Sequence, residues 1–260
     1  MIFHRLATAY SRLLSKNNAR LALRRVAQWL HKWLALLVGI QVVAWLLGGA
    51  IFALMPFDAW VKSAEIIRKA PKPTADTPLF PLADIAIRHA PLRSIELFGQ
   101  GKNFYYRLTD PAGKKSLVDA VSGVPVTRPD ESQIRRAAKD IYLGESQIGS
   151  VRLITKPEPK AMWLVDELHG KTDVWQANFT DRFNTRLYFS ADSGEFIRVR
   201  NDAWVLYDFF WRLHIMDYGG GEDFNNIFMR ILSPLALVLA GSGIVMLFFS
   251  QFRKRRRGAR

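Results

Sequence analysis

The 260-residue chain contains no cysteine, which excludes a disulfide framework and any thiol nucleophile. Catalytic signatures are missing too: no G-x-S-x-G elbow, H-E-x-x-H helix, Walker loop or dinucleotide fingerprint occurs. "AGSGIVM" (Ala240–Met246) shares letters with a phosphate loop, but it lies inside an apolar run. Acidic residues are absent from both ends. Residues 1–32 hold seven Lys and Arg, and residues 253–260 hold six, without one Asp or Glu. The other 24 basic residues face 23 acidic ones, so the formal charge of +14 belongs to the ends and the body is near neutral. A nucleic-acid partner is therefore not expected. The C-terminal "RKRRR" fits membrane topology and anionic headgroups instead.

Two long uncharged runs lie inside those ends. Trp33–Leu54 has 22 residues with Gln41 as its only strongly polar side chain, and Ile231–Phe249 has 19. At ~1.5 Å per residue, each would cross a hydrocarbon core of about 30 Å as a helix. The cationic flanks predict both termini in the cytoplasm of a bacterial inner membrane, with the middle of the chain in the periplasm. The first run is expected to be an uncleaved anchor. Its basic n-region is long, and "ALMPFDAW" after it puts bulky residues where a cleavage site needs small ones.

The middle follows one pattern twice. A short helix at Leu82–His89 precedes "SIELFGQ", "FYYRLTD" and "SLVDAVSGVPVT". A helix in "ESQIRRAAKDIYLG", with Ile134, Ala138 and Ile141 on one face, precedes "SVRLITK" and "VWQANFTDRFNTRLYFSADSGEFIRVR". Ser94–Leu97 aligns with Ser150–Leu153, and "LVDAVSGVPV" aligns with "YFSADSGEFI", where Gly123 and Gly194 supply turns. The second unit carries an insertion around "KPEPKAMWLVDELHGKTD". The expected fold class is α+β: two helix-plus-antiparallel-sheet units between two transmembrane α-helices.

These segments resemble the PepSY domain. The framing segments "HKWLALLVGIQVVAWLLGGAIF" and "FFWRLHIMDYGGGEDFNNIFMRILSPLALVLAGSGI" resemble PepSY-associated membrane helices, so the likeness covers roughly residues 29–250. It implies an extracytoplasmic module, in some relatives a protease-propeptide inhibitor. Some four-span relatives are haem-containing ferric-siderophore reductases, whereas this chain has two spans. The expected organisation is a basic cytoplasmic segment (1–30), a first transmembrane helix (31–55), a Pro-rich linker (56–80), PepSY-like units (81–127 and 128–202), an interfacial helix and loop (203–226), a second transmembrane helix (227–250) and a basic tail (251–260).

Of five histidines, His31 and His214 fall in the membrane-associated motifs, and histidine is a standard haem ligand. On this topology they lie at opposite ends of the spans, about 30 Å apart. One iron would not reach both, so each would need a partner subunit or a second copy. The simpler reading makes His31 an interfacial residue beside Trp29, Lys32 and Trp33. It seats His214 in an amphipathic helix along the membrane surface, with Leu206, Phe209, Phe210 and Leu213 on one face and Asp208 and Arg212 on another. His214, Asp217, Glu222 and Asp223 form a candidate metal set, while His169 reads as an exposed loop residue. Gly241 and Gly243 are expected to pack against Gly48 and Gly49, with Gln41 and Ser242 bonding across that contact. The leading expectation is a non-enzymatic binding or regulatory module without a cofactor. Its partners would be membrane lipid and a membrane or periplasmic protein, with Tyr105, Trp175 and Tyr188 as contacts and strand addition as the mode. The alternatives are a haem-carrying electron-transfer or ferric-siderophore-reductase accessory subunit using His31 or His214, and a scaffold.

Overall fold

A computed structural model describes the backbone of residues 2–257 and the side chains of residues 21–250. Two compact units emerge: Met1–Ile51 together with Phe210–Arg260, and Phe52–Phe209.

The first unit is helical. Helix α1 spans Ile2–Leu54 and α5 spans Ile227–Arg257. Two stretches within them, Leu21–Leu54 and Ile227–Ser250, are long and apolar enough to cross a membrane. Their large apolar side chains, among them Leu36, Ile40, Leu237 and Ile244, point outward. A surface of that kind suits hydrocarbon, because the helix has already satisfied its backbone groups internally.

The second unit contains the expected repeat. Helix α2 (Leu82–Arg88) precedes strands β1 (Ser94–Gln100), β2 (Asn103–Thr109), β3 (Lys115–Asp119) and β4 (Pro125–Val126). Helix α3 (Glu131–Ile141) precedes β5 (Ile148–Ile154), β6 (Val174–Phe179), β7 (Arg186–Ser190) and β8 (Phe196–Arg200). Each set forms an antiparallel meander, ordered β1-β2-β3-β4 and β5-β6-β7-β8. Gly123 and Gly194 occupy equivalent turns, both at φ +72°, where a side chain would be strained.

Local chemistry fixes the helices. Asp130 accepts from the Gln133 N–H while the Gln133 side chain accepts from the Asp130 N–H, a reciprocal cap that starts α3. Ile134, Ala138 and Ile141 then face one side and bury against Ala177, Phe179, Leu187 and Phe189 of the second sheet. In the first repeat Ile85 of α2 meets Tyr106, Leu108 and Val118. The insertion between β5 and β6 adds a third core on the other face of the second sheet, where Leu168 packs with Ile154, Val174 and Tyr188.

The proline-rich segment before α2 is extended, but it is pinned rather than loose. Arg68 N–H donates to Ile141 O at 2.8 Å, Phe80 N–H donates to Ala120 O at 2.7 Å, and Pro71 lies where a side chain on Gly99 would stand. The repeats are also tied directly. The Gln100 amide donates to Gly194 O and accepts from the Phe196 N–H, and Arg107 pairs with Glu195.

Candidate functional site

Helix α4 (Asp202–Ile215) stops eleven residues short of α5, and the intervening segment is built to satisfy its own backbone. One Asp217 carboxylate accepts four backbone N–H bonds, from Gly219, Gly220, Glu222 and Asp223, at 3.0–3.1 Å. Burial alone would raise its pKa, but those four donors outweigh it and hold the group at about 2. Arg212 donates to Gly219 O and Trp211 to Gly221 O. Gly221 has φ +79°, and an added Cβ would stand 2.9 Å from the Arg212 guanidinium carbon, so only glycine lets the loop close over that side chain. Asn226 donates to Ile215 O and Asp223 O and accepts from the Met229 N–H, which starts α5.

Helix α1 closes the end of α4. Gln41 Nε2 donates to Leu213 O at 2.8 Å and Trp45 Nε1 donates to His214 O at 2.6 Å, satisfying carbonyls that a helix C-terminus leaves open. The expected surface helix therefore ends docked against the apolar run of α1. Asp208 and Arg212, expected on a different face from the apolar residues, are 9% and 1% exposed.

His31 is also placed differently from the expectation. Its Nδ1 lies 3.1 Å from Ser242 Oγ and 3.3 Å from Leu239 O, and its ring fills the space a Cβ on Gly243 would need. The imidazole is thus packed on α5 inside the apolar stretch. Gly243 receives His31 rather than Gly49, Gly241 has nothing within 4 Å of where a Cβ would stand, and Gln41 bonds α4 rather than Ser242. The cause is the axial offset: residue 31 of α1 faces residues 239–243 of α5, while residues 41 and 45 face the end of α4. Along α1, ten to fourteen residues separate the His31 level from the His214 level, about 15–21 Å at ~1.5 Å per residue. That is shorter than the 30 Å expected from sequence, yet two imidazoles ligating one haem iron must approach within a few ångströms. His31 and His214 of one chain do not fit a shared haem. Among the described residues no three His, Asp or Glu side chains gather to hold a metal ion, and Asp217 is committed to its own loop.

A polar concavity lies elsewhere, between the insertion and the outer face of the second sheet. It has a volume of about 280 Å³ and is lined by Arg152, Glu167, Gln176, Arg186 and Tyr188, among others. A chain of bonds runs across its floor. Arg152 Nε donates to Gln176 Oε1, Gln176 Nε2 to the Tyr188 hydroxyl, and that hydroxyl to Glu167 Oε2. Arg186 donates to the same Glu167 oxygen at 2.9 Å. Burial, reinforced by the Glu167 charge, pushes the Tyr188 phenol well above its ordinary pKa. Burial works against the Arg186 cation, and Glu167 outweighs it. Tyr188 is 1% exposed, so this expected contact residue serves inside the fold. Tyr105 and Trp175 are half-buried, and Trp175 packs on the α3 core. His169 lies exposed in the insertion, as expected. The network escaped the sequence reading, although its signal was present: Arg186 and Tyr188 alternate on one strand face opposite Gln176, and polar residues so placed need cover.

A family model described as "PepSY-associated TM region" matches residues 28–260. No curated protein matches the chain, and no solved structure does.

Proposed function

The chain belongs to the PepSY-associated TM family, and from that premise we propose that this membrane protein is a non-enzymatic binding module. In this reading it sits in a bacterial inner membrane with both termini cytoplasmic and its two sheets, as PepSY-like units, in the periplasm. It captures an extended segment of a protein partner by adding a strand to the second sheet. The observation that carries this is the outer edge of β5. The strand is seven residues long and pairs with β6 alone among the described residues; Gly149, Ser150, Arg152 and Leu153 along it are exposed. A free edge of this length offers a row of backbone donors and acceptors. The other edges suit this less well. Pro71 lies against β1 at Gly99, β4 has two residues, and β8 has five half-buried residues, with its Phe196 N–H already given to Gln100.

The test is a photo-crosslinking amino acid at Leu153 in the full chain in cells, compared with one at Lys114 in an exposed turn. A discrete adduct at position 153 and none at 114 is expected. Absence of an adduct at positions 149, 150 and 153 alike would sink strand addition. Topology is checked with reporter fusions at both termini and after Val121, the last of which should report the opposite compartment.

A further inference from the structure

The insertion between β5 and β6 ends in an outward tip, Lys160–Leu164. Ala161 and Val165 exchange two backbone bonds of 2.8 and 2.9 Å, closing the tip. Met162 and Trp163, consecutive non-glycine residues, both sit in the left-handed region at φ +46° and +49°. Ordinary side chains avoid that conformation, so its use twice in succession is an outlier that asks for a role. The two side chains it displays are apolar, and Trp163 is 85% exposed. A fully displayed indole beside methionine is costly in water and at home at a membrane interface.

The surroundings identify that interface. The last residues of the first apolar stretch, Phe52–Leu54, belong to the same compact unit as the tip. The Phe52 ring lies 4.8 Å from that of Tyr207, and Tyr207 is two residues from Phe209, whose ring meets Trp163 edge-on at 6.4 Å. Trp163 is therefore held near the level at which the first stretch ends. Leu54 at that end is 83% exposed, so the apolar surface continues to this level. The same zone carries Trp60 under the Arg182 guanidinium and Phe57 under the Lys62 ammonium. Aromatic rings with cationic neighbours at the end of an apolar helix are what headgroups accommodate.

We infer that Met162 and Trp163 enter the lipid headgroup region of the adjacent leaflet, so that the second sheet is anchored to the bilayer at a point far in sequence from either helix. The occupant of this surface is lipid rather than protein. The apolar tip meets Phe209 of α4, two residues from the Tyr207 that the Phe52 ring touches, and Lys160 beside it matches anionic headgroups.

Because the chain has no cysteine, a single introduced thiol is labelled uniquely. Met162→Cys, Leu54→Cys and Lys114→Cys are each spin-labelled in the full chain. They are reconstituted into phosphatidylethanolamine/phosphatidylglycerol vesicles without any other protein. The ratio of oxygen to nickel-chelate accessibility reports immersion. The label at 162 is expected to resemble that at 54 and to exceed that at 114 several-fold. A label at 162 as open to the nickel chelate as the one at 114 overturns the inference, and leaves this face for a protein partner. Trp163→Phe, which needs no label, gives a second reading. It should remove part of the tryptophan emission quenched by lipids brominated near the headgroup, and an unchanged quenched fraction counts against lipid contact.

Discussion

Replacing Tyr188 with Phe removes one oxygen from the floor of the cavity on the second sheet. That oxygen accepts from Gln176 Nε2 at 2.6 Å and donates to Glu167 Oε2 at 2.7 Å. Glu167 keeps Arg186 as a donor. Gln176 has no such reserve: its side chain is 2% exposed and its other end is held by Arg152, so the amide cannot turn to water. A buried donor left without an acceptor costs about 1–3 kcal/mol. A loss near 2 kcal/mol would lower Tm by roughly 4–8 °C for a unit of this size. Thermal unfolding of the full chain in mild detergent, followed by tryptophan emission, measures it. Adding Gln176→Leu to Tyr188→Phe removes both partners and should recover much of the loss. The phenol also predicts a pH signature. Its folded pKa is raised, so its contribution is complete below the unfolded value of about 10 and falls as pH rises beyond it, because only the unfolded chain then releases the proton. Tyr188→Phe should flatten part of that alkaline decline. A variant with unchanged Tm and alkaline slope, or a double variant that loses the sum of two large costs, would refute the network as a source of stability.

Three further outcomes follow from other sites. Gly194→Ala should cost about 1–2 kcal/mol from its left-handed backbone, and Gly123→Ala clearly more, because its Cβ would stand 2.7 Å from the Phe80 ring against 3.3 Å from Pro129 at Gly194. Equal Tm shifts in the two would contradict that difference. Asp217, held at about 2, stabilises the α4–α5 segment fully above roughly pH 4 and loses this contribution as pH falls towards 2. Asp217→Ala should speed amide exchange at Gly219–Asp223 at neutral pH, and unchanged exchange would argue against the carboxylate as organiser. Protein purified from haem-replete cells is expected to show no haem band, oxidised or dithionite-reduced. A stoichiometric band abolished by His31→Ala or His214→Ala would overturn the non-redox reading.

Period and spacing carried much of this fold. The two apolar runs, the Ile134–Ala138–Ile141 face and the paired glycine turns each depend on residues close in sequence, and each is found in the structure. The misplaced features depend on axial register. Nothing local states that His31 will face Gly243, or that Gln41 will bond a carbonyl of α4, because sliding two apolar helices by a turn leaves their composition unchanged. The candidate set His214, Asp217, Glu222 and Asp223 was likewise close in sequence, but the loop turns the Asp217 oxygens inward to its own amides. Helical spacing places Arg212 on the face away from the apolar residues, and the glycines after it show only that the chain turns there, not that Gly221 closes over the guanidinium.

The bonds from Gln41 and Trp45 to Leu213 O and His214 O span 172 and 169 residues of sequence. At synthesis rates of about 5–20 residues per second, roughly 10–30 s separate the emergence of these donors from that of their acceptors. During that interval the newly inserted first helix holds an amide and an indole with no permanent mate, while the chain that will become the sheets is still being made. The final seating of α4 is thus a late event in biogenesis.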